Sequence, residues 1–173
     1  MRTSIVVIVL TALVGFNPAN AQSKSNDTTA RYFIIQASIS NLQEIAIGRL
    51  AAERTGSPEV KAFAAKMATD HSQAEAQLMQ LVRIKGIQIP KEATDPPVED
   101  MMLKNTPAKD FDDIYVHMMV SGHRETVGLF ESYSFVGKDP EVKAFARQML
   151  PVLKEHLAAI IDIDNSINGK MAK

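Results

Sequence analysis

The chain has 173 residues, 46% of them hydrophobic and 23% charged, with 19 Lys and Arg against 20 Asp and Glu. That balance is an ordinary globular one and excludes disordered, collagenous and low-complexity classes. A net charge of −1 excludes a general electrostatic grip on nucleic acid. The absence of Cys excludes disulfides, thiolate zinc sites, iron–sulfur clusters and cysteine nucleophiles. Any metal here must be held by His, carboxylate or Met.

The first stretch, residues 1–21, has the form of a Sec-type export signal. Arg2 gives the positive start, Ser4 to Phe16 is an apolar run, Pro18 breaks it, and Ala19-Asn20-Ala21 is a small-x-small cleavage site. The run is shorter than the roughly 20 residues that span a bilayer. Removing residues 1–21 from 173 leaves 152, with a net charge of −2 because Arg2 is lost. No second run of that apolarity follows, so no integral membrane segment is expected after cleavage. The protein is expected to be exported, periplasmic or secreted, with a place at the periphery of the outer membrane left open. Residues 22–30 are polar and are expected to form a flexible leader.

A repeat then organises the chain. Ser57-Pro58-Glu59-Val60-Lys61-Ala62-Phe63-Ala64 recurs as Asp139-Pro140-Glu141-Val142-Lys143-Ala144-Phe145-Ala146, at an offset of 82. In both copies Ser57 or Asp139 can cap free backbone N–H groups, and Pro occupies the first helical position, where no donor is needed. Glu59 and Glu141 favour the positive helix end. Gly56 and Gly137, just upstream, are expected to close the preceding helices in the left-handed conformation. The spacing predicts a first helix over 31–55, a second over 58–85 ended by Gly86 and Pro90, a third over 107–136 and a fourth over 140–167, with 168–173 as a tail. The proline-bearing connection 86–106 is long enough to cross the bundle, with one short helical piece over 98–105. Two hairpins, 31–85 and 107–167, joined by a long crossover define an all-α, ferritin-like four-helix bundle with the second and third helices parallel. Pro151, inside the fourth helix, lacks the N–H for the carbonyl of Arg147, which predicts a bend.

Inward positions recur three and four apart. The first helix is expected to bury Ile35, Ile39, Leu42, Ala46 and Leu50, flanked by Ala37, Asn41, Glu44, Gly48 and Ala51. The second buries Val60, Ala64, Met67, His71, Glu75, Leu78 and Val82. The third places His123 on an edge with Val116, Met119, Val127 and Phe130. The fourth buries Val142, Phe145, Met149, Leu153, His156, Ile160, Ile163 and Ile167. Each helix thus offers one candidate ligand near its middle: Glu44, His71, His123 and His156. Imidazole and carboxylate suit iron, manganese, zinc, copper or nickel, and bundle interiors are where such sites are built. The alternative is that each His is a structural residue, satisfied by Asp70, Glu75, Glu155 or a backbone group.

The di-iron pattern is missing: Ala68 and Leu153 stand where Glu-x-x-His would place its acids. An oxygen- or peroxide-handling enzyme is therefore disfavoured, and no catalytic residue is assigned. Met101-Met102 and Met118-Met119 are soft copper-type ligands in principle, although Met also fills helical cores. His117 is expected at the surface. No phosphate loop, nucleophile elbow or Ser/His/Asp arrangement is present.

Residues 42–51 (LQEIAIGRLA), Val60 to Met67 with Asp70-His71, and then His123, Leu129-Phe130-Glu131 and residues 150–157 (LPVLKEHL) resemble a bacterial family. It is the exported, ferritin-like domain of unknown function whose members are often labelled "predicted outer membrane protein". The resemblance runs from about Arg31 to Ile163. It implies a helical bundle outside the cytoplasm and no established activity, and its Asp-His, His and Glu-His positions correspond to Asp70-His71, His123 and Glu155-His156. The leading expectation is an exported bundle that binds a transition metal for storage, sensing or stress protection. The alternative is a non-catalytic cell-envelope module with structural histidines. An envelope protein or a second copy of the chain would be its partner.

Overall fold

The computed structural model describes residues 28–91 and 98–171. The export signal, most of the leader, part of the crossover and the end of the tail lie outside the described residues. Five helices follow in order: α1 (Thr28–Arg54), α2 (Pro58–Lys85), α3 (Val98–Asn105), α4 (Ala108–Val136) and α5 (Pro140–Met171). No strand occurs among the described residues. The chain is an all-α bundle of two hairpins, α1–α2 and α4–α5, with α3 in the connection between them.

Contacts fix the directions. Phe33 near the start of α1 stacks on Tyr133 near the end of α4, with ring centroids 4.4 Å apart. Arg54 at the end of α1 lies 4.6 Å over the ring of Phe111 near the start of α4. So α1 and α4 are antiparallel. Lys85 at the end of α2 pairs with Asp139 before α5 at 2.8 Å, making α2 and α5 antiparallel. It follows that α2 and α4 run parallel, as a long crossover requires. Arg54 also donates to the carbonyls of Leu103, Lys104 and Thr106, covering the end of α3 where the last carbonyls have no helical partner.

Helix starts follow the capping chemistry of the repeat. The Ser57 hydroxyl accepts from the Val60 N–H at 3.3 Å, and the Asp139 carboxylate accepts from Glu141 and Val142 at 3.2 Å each. The ends differ from expectation. Gly86 closes α2 at φ 62°, but Gly137 has φ −55°, and Gly86 is the one positive-φ glycine among the described residues. Gly137 instead gives its N–H to the Tyr133 carbonyl, so α4 ends without a left-handed residue.

The first helix is rotated from the expected stripe. Ile35, Ile39, Leu42, Ala46 and Leu50 are only half-buried, while Phe33, Ile34, Ala37, Asn41, Glu44, Ile47, Gly48 and Ala51 form the sealed face. This helix is apolar on most sides, so its period gives little direction. Close approach decides instead. A Cβ on Gly48 would lie 2.9 Å from the Ala64 carbonyl oxygen of α2, so the small-residue face turns inward. The other helices bury most of the expected positions, with Glu75 and Val82 of α2 and Ile163 and Ile167 of α5 only half-buried, and Pro151 falls on the exposed side of α5.

The apolar core is in two parts. One end packs Phe33, Leu78, Phe130, Tyr133, Val142 and Phe145. The other packs Val60, Phe63, Met67, Leu103, Phe111, Tyr115 and Ile160. Between them lies a layer of buried polar side chains: Ser38, Asn41, Glu44, His71, His123, Thr126 and His156.

Candidate metal centre

That polar layer brings three imidazoles together, from α2, α4 and α5. The ring centroids of His71, His123 and His156 stand 5.8, 5.6 and 5.6 Å apart, a nearly equilateral triangle. One nitrogen of each ring lies within 4.8 Å of one nitrogen of both others. All three side chains are sealed from solvent. Metal–imidazole bonds of about 2.0–2.1 Å would draw these nitrogens inward by well under 1 Å each.

The second nitrogen of each ring is held from behind. His71 Nδ1 is 3.0 Å from the Asn41 Oδ1, His123 Nδ1 is 3.0 Å from the Met119 carbonyl, and His156 Nε2 is 2.9 Å from Asp70 Oδ2. All three partners are acceptors, so each ring donates there and carries a lone pair on its other nitrogen. Those other nitrogens, His71 Nε2, His123 Nε2 and His156 Nδ1, are buried and have no hydrogen-bond partner. The supporting contacts are themselves fixed. Asn41 donates its amide to Glu75 at 3.0 Å, which leaves its oxygen for His71, and Ser38 donates to the same carboxylate at 2.7 Å. Lys66 Nζ also lies 2.6 Å from Asp70, on the outer side of the carboxylate. Metal-binding histidines are characteristically held through the non-ligating nitrogen in this way.

Electrostatics keep the rings neutral. Burial lowers His71 to about 3, aided by the neighbouring His123 and His156, and lowers His123 to about 4, again aided by His156. His156 is lowered by burial too, against the pull of Asp70. Burial alone would raise Asp70, but hydrogen bonds from Lys66 and His156 bring it below its ordinary value.

Glu44 is placed differently. Its Oε1 is 3.5 Å from His123 Nδ1, the nitrogen already given to Met119, and it is not in the group of potential ligands formed by the three rings. Burial raises it to about 8, so it is a neutral carboxyl at pH 7. It lies in a groove of about 480 Å³ between α1 and α4, and its Oε2 has no partner. His117 is exposed, bonded through Nδ1 to the Asp113 carbonyl at 2.9 Å. Met101 and Met102 are exposed on α3, whereas Met119 is sealed in the core.

Two partnerships departed from local expectation. Glu155, beside His156, is exposed and does not serve it; Asp70, from 86 residues earlier, does. Glu75 does not touch His71 directly but acts through Asn41. Asn41 is the contributor that spacing alone passed over as a flank residue. The one sequence signal is that the repeat offset of 82 sets it opposite His123.

Fold and centre together define an all-α four-helix bundle with a buried tri-histidine cluster at mid-height. Residues 16–163 match the family described as Domain of unknown function (DUF4142), and the chain belongs to that family. No curated protein matches it. Among solved structures, the chain is similar to the crystal structure of a DUF305 fragment from Deinococcus radiodurans, with a TM-score of 0.69 at 15% identity. That likeness covers 80% of this chain and 97% of the other, and it is one of fold alone.

Proposed function

We propose that this protein is an exported, ferritin-like bundle that binds one transition-metal ion through His71, His123 and His156, in storage, sensing or stress protection. One observation carries the reading: three clustered histidines, their ring centroids within 5.8 Å of one another, each carry a buried ring nitrogen with no partner. Each unsatisfied buried group costs about 1–3 kcal/mol, and native proteins seldom leave such groups together without a use. One cation satisfies all three. Neutral imidazoles suit zinc, copper, nickel and iron, and the absence of a carboxylate among the three ligands disfavours magnesium and calcium. Glu44 lies beside His123 on the side already bonded to Met119 and is left out of the ligand set. Export rests on the form of residues 1–21.

The test is metal analysis of untagged protein purified from its native compartment, followed by equilibrium titration of the metal-free protein with Co2+, Zn2+ and Cu2+. One equivalent bound supports the reading. Protein that arrives metal-free and takes up none of these ions returns the histidines to a structural role in a non-catalytic envelope module.

A further inference from the structure

A sealed cluster needs a way in. Among the described residues, one cleft on each of two sides approaches the middle of the bundle, and the two differ in what they reach. The wider one, between α1 and α4, has Glu44, Met119 and Gly122 among its lining residues but none of the three histidines. The other, between α2 and α5, is a depression of about 290 Å³ lined by Lys66, Asp70, Gln73, Gln77, Gln148 and Glu155, among others. Beneath it is a void of about 10 Å³ lined by His71 and His156. Outer depression and inner void share Asp70, Ala74, Met149 and Val152. The void matches the roughly 10–15 Å³ needed for a single water, so it has room for about one ion. Both histidines lining it carry a buried nitrogen with no partner.

The mouth carries charge. Lys66 Nζ lies 2.6 Å from Asp70 and 3.8 Å from Glu155, so one ammonium is shared between two carboxylates. The Lys66 and Glu155 side chains are largely exposed, at 46% and 70%, and Asp70 reaches inward to His156. An exposed ion pair of this kind is held by about 0–1 kcal/mol, and an exposed side chain changes rotamer in picoseconds to nanoseconds. The ammonium therefore leaves readily, exposing two carboxylates that attract a divalent cation more strongly than a monovalent one.

We propose that the α2–α5 cleft is the cation entrance to the tri-histidine cluster, with Asp70 and Glu155 forming a transient subsite for a divalent metal ion and Lys66 as its displaceable gate. The proposal rests on the metal-binding reading of the cluster. An arriving ion exchanges with the Lys66 ammonium at the carboxylates, sheds water, and passes between Ala74, Met149 and Val152 to His71 and His156. His123 closes the coordination from the far side.

The experiment is stopped-flow mixing of metal-free full-length protein with Co2+ alone, followed by visible absorption, with an equilibrium titration of each variant. A gate acts on both directions of transfer. Lys66→Met, which keeps the stem and removes the charge, is expected to speed association and dissociation together by about three- to tenfold, and Glu155→Gln to slow association by about two- to fivefold with a weaker salt dependence. A purely structural ion pair would leave association unchanged and show only as altered affinity, through the hold of Asp70 on His156. If wild-type protein binds Co2+ but both variants keep its association rate, the entrance is wrong and the site stands. If Gly122→Ala slows uptake instead, the ion enters between α1 and α4, because the added methyl fits 3.5 Å from the Glu44 carboxyl and narrows that groove. If wild-type protein binds no Co2+ at equilibrium, the cluster reading falls and the entrance falls with it.

Discussion

The two hairpins can be compared position by position at the 82-residue offset. Near the helix starts they agree in identity and environment: Val60 and Val142 are fully buried, as are Ala64 and Ala146, and Phe63 and Phe145 each retain 6% exposure. Toward the centre they still agree in burial but not in chemistry. Asn41 is matched by His123, Glu44 by Thr126, His71 by Leu153, and Ala74 by His156, and all eight are buried. The fold uses the shared burial pattern, and the site is made where identities differ. The first hairpin gives one imidazole and the amide that orients it. The second gives two imidazoles. An exact duplication would produce pairs of ligands related by the pseudo-symmetry; this cluster is a triangle because that symmetry is broken at the central turns.

The shared part of the comparison carries the largest expected effect. Phe63→Ala and Phe145→Ala should each cost about 3–5 kcal/mol in a denaturant titration, the usual loss for a buried aromatic ring. The rings lie in different cores, Phe145 6.1 Å from Phe130 and Phe63 6.4 Å from His123. Similar costs would show that the repeat is matched in energy as well as burial. A loss below about 1 kcal/mol at either position would break the match, being typical of a surface site.

The unmatched part is tested by restoring symmetry. His71→Leu gives α2 the residue that α5 carries at the matching position. For the unaltered protein, metal at a hundredfold excess over Kd adds about 2.7 kcal/mol, a rise in thermal midpoint of roughly 5–10 °C. In the variant that rise should vanish while the far-ultraviolet circular dichroism remains helical. A persistent rise would show that His123 and His156 suffice and that α2 is not needed.

Acid and alkali should separate the histidines from Glu44 in the metal-free protein. His71 and His123 sit at about 3 and 4 in the folded state against about 6.5 unfolded. Between about pH 4 and 6.5 the unfolded chain therefore holds more protons at these rings, so stability should fall as pH falls through that window. Glu44 runs the other way. Held at about 8 when folded, it keeps a proton that the unfolded chain loses above about 4.5, so it opposes folding as pH rises toward 8. Of these three groups only Glu44 still contributes above pH 6.5, which places the maximum of their combined contribution near 6.5. Glu44→Gln should flatten the decline between pH 6.5 and 8 and steepen the rise between about pH 4.5 and 6.5, where Glu44 opposes the histidines. A decline unchanged in that variant would show that Glu44 is ionised in the fold. With metal bound, the same depressed histidine values move proton competition toward pH 4, below the value of about 6.5 expected for exposed imidazoles.

Much of this architecture was legible in the chain, for identifiable reasons. Helix α2 begins at Pro58 and ends at Lys85, as its cap and Gly86 require, and α3 occupies Val98–Asn105. Local stop signals are weaker at the outer ends: α1 starts at Thr28 and α5 continues to Met171, several residues beyond the expected 31 and 167. The face of α1 was not legible, because Ile and Leu surround the helix and the inward side was chosen by Gly48 against Ala64 rather than by hydropathy. At the site, positions of the histidines followed from periodicity, but their partners did not. Asp70 reaches His156 across 86 residues and Asn41 reaches His71 across 30, distances over which spacing carries no information.

The smallest effect separates the two caps. Ser57 satisfies one backbone donor of α2, that of Val60, and touches no distant charge in that role. Ser57→Ala should therefore cost about 1 kcal/mol, the typical value for a lost N-cap. Asp139 does the same for α5 with one carboxylate oxygen and holds Lys85 with the other, at 2.8 Å, where both side chains are less than a tenth exposed. Asp139→Ser keeps a capping oxygen but leaves the Lys85 ammonium buried beside Glu141, whose side chain is more than half exposed. Removing one partner of a buried pair costs about 3–5 kcal/mol when nothing replaces it, and Glu141 replaces it in part. The serine that suffices at position 57 should thus cost more at 139 than the alanine does at 57. Equal losses in a urea titration would mean that Glu141 carries Lys85 alone, and that the two hairpins begin in energetically equivalent ways.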